Sequence, residues 1–285
     1  MQAFFLDSGD GSQRFCVHHQ AQGPAKRGQL LYLHPFAEEM NKSRRMAALQ
    51  ARAFAAAGFE VLQIDLLGCG DSAGDFGDAS WRSWLDDALL GCRWLQSRPD
   101  PAPLWLWGLR AGCLLAVETL QQLGLPANLL LEQPPASGKP LLQQFLRLKI
   151  AGEMMDGASK GAMAEMRALL SRGDSIEIAG YQLAASLAQG LEGASLQPPS
   201  GLAAQRLIWL ELSTRADAQW TPVALQAQQR WRDAGWQVDA DLVTGPAFWQ
   251  TTEIEEAPEL TDAAARLLLA TTSPPGRDVL AQETA

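Results

Sequence analysis

Residues 104–116 read LWLWGLRAGCLLA. The apolar run Leu104–Trp107 has the length and composition of a buried strand, and the residues after Gly112 open a helical pattern that continues to about Leu123. Gly108 and Gly112 stand where the strand pattern gives way to the helical one and allow strand and helix to approach closely, with Arg110 midway between them. An arginine at the first turn of a helix opposes the macrodipole, whose N-terminal end is already equivalent to roughly half a positive charge. Arg110 therefore requires a negative partner, either a carboxylate of the chain or an anionic ligand held jointly with the helix amides.

Working outward from this turn, short apolar runs alternate with helical patterns, as expected of an α/β sheet with crossover helices. AFFLD and RFCVHH flank the turn-rich SGDGSQ and predict an initial hairpin. QLLYLHP predicts a buried strand, followed by a helix from about Ser43 to Ala57 that Gly58 stops, and FEVLQID predicts the next strand. Ser80 is placed to cap a helix ending before Pro99, and NLLLE follows the Arg110 helix as a further strand. The sheet pattern then lapses for some seventy residues rich in Met and Leu. It resumes with RLIWLEL, a helix opened by Pro222, the strand WQVDADLV and a last helix from about Thr261. The predicted division is a core of residues 1–135 and 201–272, a helical lid at 136–200 over the C-terminal strand ends, and a flexible tail at 273–285.

The 285 residues carry a formal charge of −9 with no basic stripe, which argues against nucleic acid, and 47% hydrophobic residues suffice for a large core. No run approaches the roughly 18 apolar residues of a membrane span, and the first residues lack a signal-peptide pattern, so a cytoplasmic location without membrane insertion is expected. Cys16, Cys69, Cys92 and Cys113 are far apart with no C-x-x-C, so neither a metal nor a dithiol pair is expected, and no cofactor.

Three segments, LYLHPFAEE, DLLGCGDSAG and WGLRAG, follow three successive strands of the central part. In shared order and spacing they resemble the oxyanion-side loop, the D-x-x-G-x-G-x-S loop and the G-x-S-x-G nucleophile elbow of the α/β-hydrolase superfamily. The resemblance spans about residues 28 to 270 and implies an α/β-hydrolase fold, a mostly parallel central sheet with flanking helices and a helical lid insert. HPFAEEMNKSRRM, WGLRAG, QQFLRLK and GPAFWQTTE further resemble the type 2 hydrolases associated with the exosortase A system. That family occurs in bacteria that sort proteins with PEP-CTERM tails and make exopolysaccharide, so the resemblance implies that context without a defined substrate. Set against the superfamily pattern, the serine nucleophile is replaced by Arg110, and GPAFWQTTE holds no histidine to serve as base. The acid falls nearest Asp217, one residue out of step.

Glu38 and Glu39, expected in the loop facing the elbow, and Asp217 are the candidate partners of Arg110. Alternatively Arg110 forms an anion fork with Asn41, Arg44 or Arg45. His34 ends the strand before the oxyanion-side loop, where bracing of the loop backbone is favoured over acid-base work; His18 and His19 are expected at the surface. Ser72 and Cys113 are poor substitutes for the nucleophile because neither sits at the turn. Phe36, Trp220 and Trp249 fall at the predicted ligand end, and Glu253 offers a carboxylate near the lost histidine. The expected partner is a small molecule, anionic or acylated, with a homodimer as a further expectation. Two function classes stay open: a nonstandard ester or thioester hydrolase, and a non-catalytic binding or scaffold protein for an anionic ligand.

Overall fold

A computed structural model describes residues 1–155 and 161–272. The chain opens with the antiparallel hairpin β1 (Gln2–Asp7) and β2 (Gln13–His19), then β3 (Gly28–Leu33), α1 (Glu38–Ala56) and β4 (Phe59–Ile64). It continues through α2 (Trp81–Gln96), β5 (Leu104–Leu109), α3 (Ala111–Leu123) and β6 (Asn128–Glu132). The insert holds α4 (Gly138–Met155), α5 (Ala162–Arg172), β7 (Ile176–Ile178), β8 (Tyr181–Leu183) and α6 (Ala185–Gly193). β9 (Arg206–Ser213), α7 (Pro222–Asp233), β10 (Gln237–Thr244) and α8 (Pro258–Thr272) complete it.

Eight strands form one sheet in the order β1-β2-β4-β3-β5-β6-β9-β10, parallel throughout except where β2 pairs with β1 and β4. The central strands are buried along their whole length, as expected where helices cover both faces of a parallel sheet. On one face Met46 and Phe54 of α1 and Leu260 and Leu268 of α8 pack over Leu30, Trp105, Leu130 and Ile208. On the other, α2, α3 and α7 bury Leu85, Leu114 and Trp231 against Leu31, Leu106 and Leu129. Leu142, Phe145 and Leu146 of α4 and Leu187 and Leu191 of α6 join this second core, so the insert is fused to the sheet layer. No helix among the described residues is long and apolar enough to cross a membrane.

Several elements depart from the sequence expectation. Helix α1 begins at Glu38, five residues earlier than predicted, because Ala37 turns the chain at φ 49° and two acidic residues fill the first turn without a Ser or Thr cap to mark it. Glu38 and Glu39 are therefore helical, and Arg44 and Arg45 lie mid-helix. Helix α8 likewise starts at Pro258, a residue suited to the first helical position. The insert is not purely helical: β7 and β8 form a hairpin closed by Ala179 and Gly180, both at positive φ. His18 and His19 are buried, because β2 lies between β1 and β4. His18 Nε2 meets Glu60 Oε1 at 2.9 Å and His19 Nε2 meets Gln63 Oε1 at 3.2 Å. The predicted tail at 273–285 lies outside the described residues. Ser80 caps α2 as expected, accepting from the Ser83 amide within a reciprocal capping box. The four cysteines are buried and free.

Candidate functional site

The C-terminal ends of β3, β5 and β6 lie side by side, and each is followed by a non-glycine residue at positive φ: Ala37 at 49°, Arg110 at 55° and Gln133 at 48°. Strain of this kind costs on the order of 1–3 kcal/mol per residue and persists only where the surroundings enforce it. At Arg110 the enforcement is visible. Its amide donates to the Glu132 carbonyl at 3.0 Å, its carbonyl accepts from Cys113 at 3.0 Å, and the glycines on either side remove the bulk the turn cannot hold. A Cβ on Gly112 would stand 2.0 Å from the Leu33 carbonyl oxygen, and one on Gly108 would stand 2.5 Å from that of Gly112.

Raised on this turn, the Arg110 side chain is mostly buried and finds its partner in Glu39, with Nη2 at 3.1 Å from Oε1 and Nε at 3.4 Å from both carboxylate oxygens. Gln144 of α4 completes the arrangement: its Oε1 accepts from Arg110 Nη2 at 3.1 Å and its Nε2 donates to Glu39 Oε1 at 3.3 Å. Trp249 lies beneath the guanidinium, with Cζ 5.6 Å from the ring centroid. Glu39 sits in the first turn of α1 and Arg110 at the N-cap of α3, so the carboxylate answers the guanidinium and the positive ends of two helices at once.

The cleft beside this bridge, lined by Phe36, Glu38, Glu39, Leu141, Gln144 and Phe145, has about 10 Å³ of free space, the room of a single water. Glu38 faces it, with Oε2 buried and without a hydrogen-bond partner, and burial raises its pKa. Behind the elbow, Glu132 is fully buried and accepts from Gln50 Nε2 at 2.5 Å. Burial pushes its pKa up to about 8, so the carboxyl is protonated at neutral pH. Among the described residues no group of His, Cys, Asp and Glu could hold a metal ion.

Of the residues singled out from sequence, Arg110, Glu38, Glu39, Phe36 and Trp249 come together. Phe36 packs edge-on against Phe76, Trp84 and Phe145, so its ring serves the core and the cleft wall. The others are engaged elsewhere. Asp217 is exposed and held by Arg215 at 2.9 Å, because the loop after β9 carries it to solvent. Arg44, facing away from Glu39 on α1, pairs with Asp65 at 3.0 Å, and Arg45 pairs with Glu256. Asn41 donates to the Tyr181 hydroxyl at 3.0 Å, so the anion fork does not form. Glu253 is exposed, and Trp220 is a partly buried neighbour of the core. His34 braces the loop: Nδ1 lies 2.8 Å from the Pro35 carbonyl and Nε2 accepts from the Leu66 amide at 3.4 Å. Ser72 and Cys113 are committed to backbone groups, Ser72 Oγ donating to the Asp65 carbonyl and Cys113 Sγ to that of Gly108. Sequence reasoning missed Gln144, Gln50 and Glu132. A glutamine in a helical pattern carries no local signal of the arginine it will meet, whereas Glu132, a lone acid closing the apolar run NLLLE, was a signal that could have been followed.

No protein-family profile matches the chain. Among solved structures it is similar to the esterase Est1E from Butyrivibrio proteoclasticus bound to ferulic acid, with a TM-score of 0.66 and 12% identity over 94% of this chain and 98% of that one. A thermostable carboxyl esterase from Bacillus coagulans superposes with a TM-score of 0.59 at 14% identity, covering 95% and 97% of the two chains. The fold is that of the α/β-hydrolases. Among curated sequences, the lysophosphatidylserine lipase ABHD12 of Danio rerio is 30% identical over 109 residues, or 37% of this chain and 27% of the relative. The human protein ABHD12B is 26% identical over 129 residues, or 44% and 34%. The matched chain thus spans about a third or less of these curated relatives.

Proposed function

We propose that the protein is a non-catalytic α/β-hydrolase-fold protein that binds a carboxylate-bearing small molecule at Arg110, the position where the superfamily carries its serine nucleophile. The observation that carries this proposal is the saturation of Glu39. A carboxylate engaged by a guanidinium and a carboxamide is a poor base, and the one guanidinium at the elbow lacks any nucleophilic atom. Glu39 then acts as a built-in stand-in for the ligand carboxylate. Because Gln144 bonds both partners, a shift of α4 that withdraws it exposes Arg110 to an external anion of matching planar geometry. In this role the insert works as a lid. The cytoplasmic location and the exosortase-linked context are part of the same proposal, supported by the sequence resemblance quoted above.

The competing role is a nonstandard ester or thioester hydrolase, in keeping with the lipase name of the zebrafish relative. It is favoured by Glu38, whose carboxyl borders the one-water cleft with Oε2 unpartnered and its pKa raised by burial. One experiment separates the two. Purified protein is challenged with short and medium acyl esters and thioesters and with a serine-reactive phosphonate, and in parallel titrated with a panel of carboxylates. The binding role predicts no turnover, no labelling, and carboxylate affinity that rises at least tenfold in Glu39→Gln. Turnover that resists the phosphonate and disappears in folded Arg110→Ala and Glu38→Gln variants would overturn it in favour of the enzyme.

A further inference from the structure

The first turn of α1 sets two carboxyl groups side by side, and one guanidinium answers them. Glu39 takes the bridge to Arg110, with side-chain exposures of 6% and 12% for the two partners. Glu38 lines the same narrow cleft beside Leu141, Gln144 and Phe145, and its Oε2 is buried without a hydrogen-bond partner among the described residues. An acceptor left in that condition costs free energy until a donor reaches it. The ionised groups acting on Glu38 are Glu39, which disfavours its charge, and Lys42, one helical turn further on, which favours it. Lys42 Nζ donates instead to the Gln250 carbonyl at 3.4 Å, in an exposed contact.

This arrangement constrains what can replace Glu39 on Arg110. An external carboxylate that takes the guanidinium releases Glu39 as a second acid beside Glu38, with its cation gone. A ligand that is a carboxylate and nothing more strands that charge, the costly way to break a buried pair. A ligand that carries an ammonium next to its carboxylate exchanges one ion pair for two and leaves the net charge of the site unchanged. An ammonium offers three donors, enough for Glu39 and for the open Oε2 of Glu38 together.

We infer that the Arg110 site takes a short amino carboxylate, its carboxylate on Arg110 and its ammonium between Glu38 and Glu39. This ligand class rests on the carboxylate-binding role proposed above. The ammonium stands one or two carbons from the carboxylate, because Glu38 and Glu39 share one helical turn and Glu39 reaches Arg110 directly, at 3.1 Å. The free space of about 10 Å³ in the closed cleft keeps the rest of the ligand small.

The test compares alanine with propionate, which lacks only the ammonium, and ethylamine, which lacks only the carboxylate. Binding is read at pH 7 by NMR chemical-shift titration of the whole protein, followed at the Trp249 indole and Gln144 carboxamide signals. Alanine is expected to bind with a Kd on the order of 1 mM or tighter, and about tenfold or more tighter than either fragment. Glu38→Gln, which keeps the shape of the side chain, should cut the advantage of alanine over propionate to about threefold or less. Glu39→Gln should shrink the same advantage while raising the affinity for propionate. Propionate binding as tightly as alanine overturns the ligand class and leaves carboxylate binding at Arg110 standing. Ethylamine binding as tightly as alanine, or an advantage of alanine unaltered in both variants, overturns the placement of the ammonium and the inference with it. If no probe binds either the protein or its Glu39→Gln variant, the carboxylate-binding role itself falls, and the amino carboxylate with it.

Discussion

At the scale of single residues, Arg110 and Glu39 decide what the elbow can do. Each is tolerable only because of the other: both are largely withdrawn from water, and a buried pair contributes little net stability while either half alone is costly. Arg110→Ala should therefore destabilise the protein by about 3–5 kcal/mol, most of it from stranding Glu39. The double variant Arg110→Met, Glu39→Leu should recover most of that loss, and a double-mutant cycle from urea denaturation checks it. If the two single losses simply add, the bridge is not what makes either residue necessary. The need for a negative partner was legible from the sequence, since an arginine at a helix start has no other way to be buried. Which carboxylate answers was not. Glu38, Glu39 and Asp217 are all candidates along the chain, and the choice falls to Glu39 because Ala37 turns back into helix and swings the α1 terminus toward the elbow.

At the scale of elements, the strand–turn–helix unit of β5 and α3 is held by contact between backbones. The Leu33 carbonyl lies where a side chain on Gly112 would begin, so β3 and α3 approach as closely as glycine alone permits. Gly112→Ala should cost about 1–3 kcal/mol or more through overpacking, and it should also loosen the Arg110–Glu39 bridge. Comparing its thermal unfolding with that of Gly124→Ala separates the two origins of cost. Gly124 ends α3 in the left-handed region at φ 67° with open space around it, so its substitution strains the backbone without a clash. Elements with local signals were read correctly: the Ser80 cap, the Pro222 start and the buried apolar strands. The early start of α1 and the β7–β8 hairpin were missed, because a helix without a polar cap and a pair of three-residue strands carry almost no signal.

At the scale of the whole molecule, the two-faced sheet buries Glu132 beneath α1, and the cost appears in global stability. Its carboxyl ionises near pH 4.5 in the unfolded chain and is pushed up to about 8 in the folded protein. Between these values the folded state holds the extra proton, so stability falls as pH rises, by up to about 1.4 kcal/mol per pH unit for this one group, and levels off above the folded pKa. Glu132→Gln should remove that slope and be the more stable form at pH 8, as denaturant melts from pH 5 to 9 would show; an unchanged slope would locate the dependence in other groups. The sequence by itself determined the alternation of strand and helix, the tight turn at Gly108–Gly112 and the identity of the residue raised on it, because periodicity and glycine placement act over a few neighbouring residues. Only the tertiary structure decided that Glu39 and Gln144 close on Arg110, that Asp217, Arg44 and Asn41 turn elsewhere, and that Glu132 is sealed in neutral form. Each of these depends on which side chains meet across elements distant in sequence, where burial and pairing set the energies.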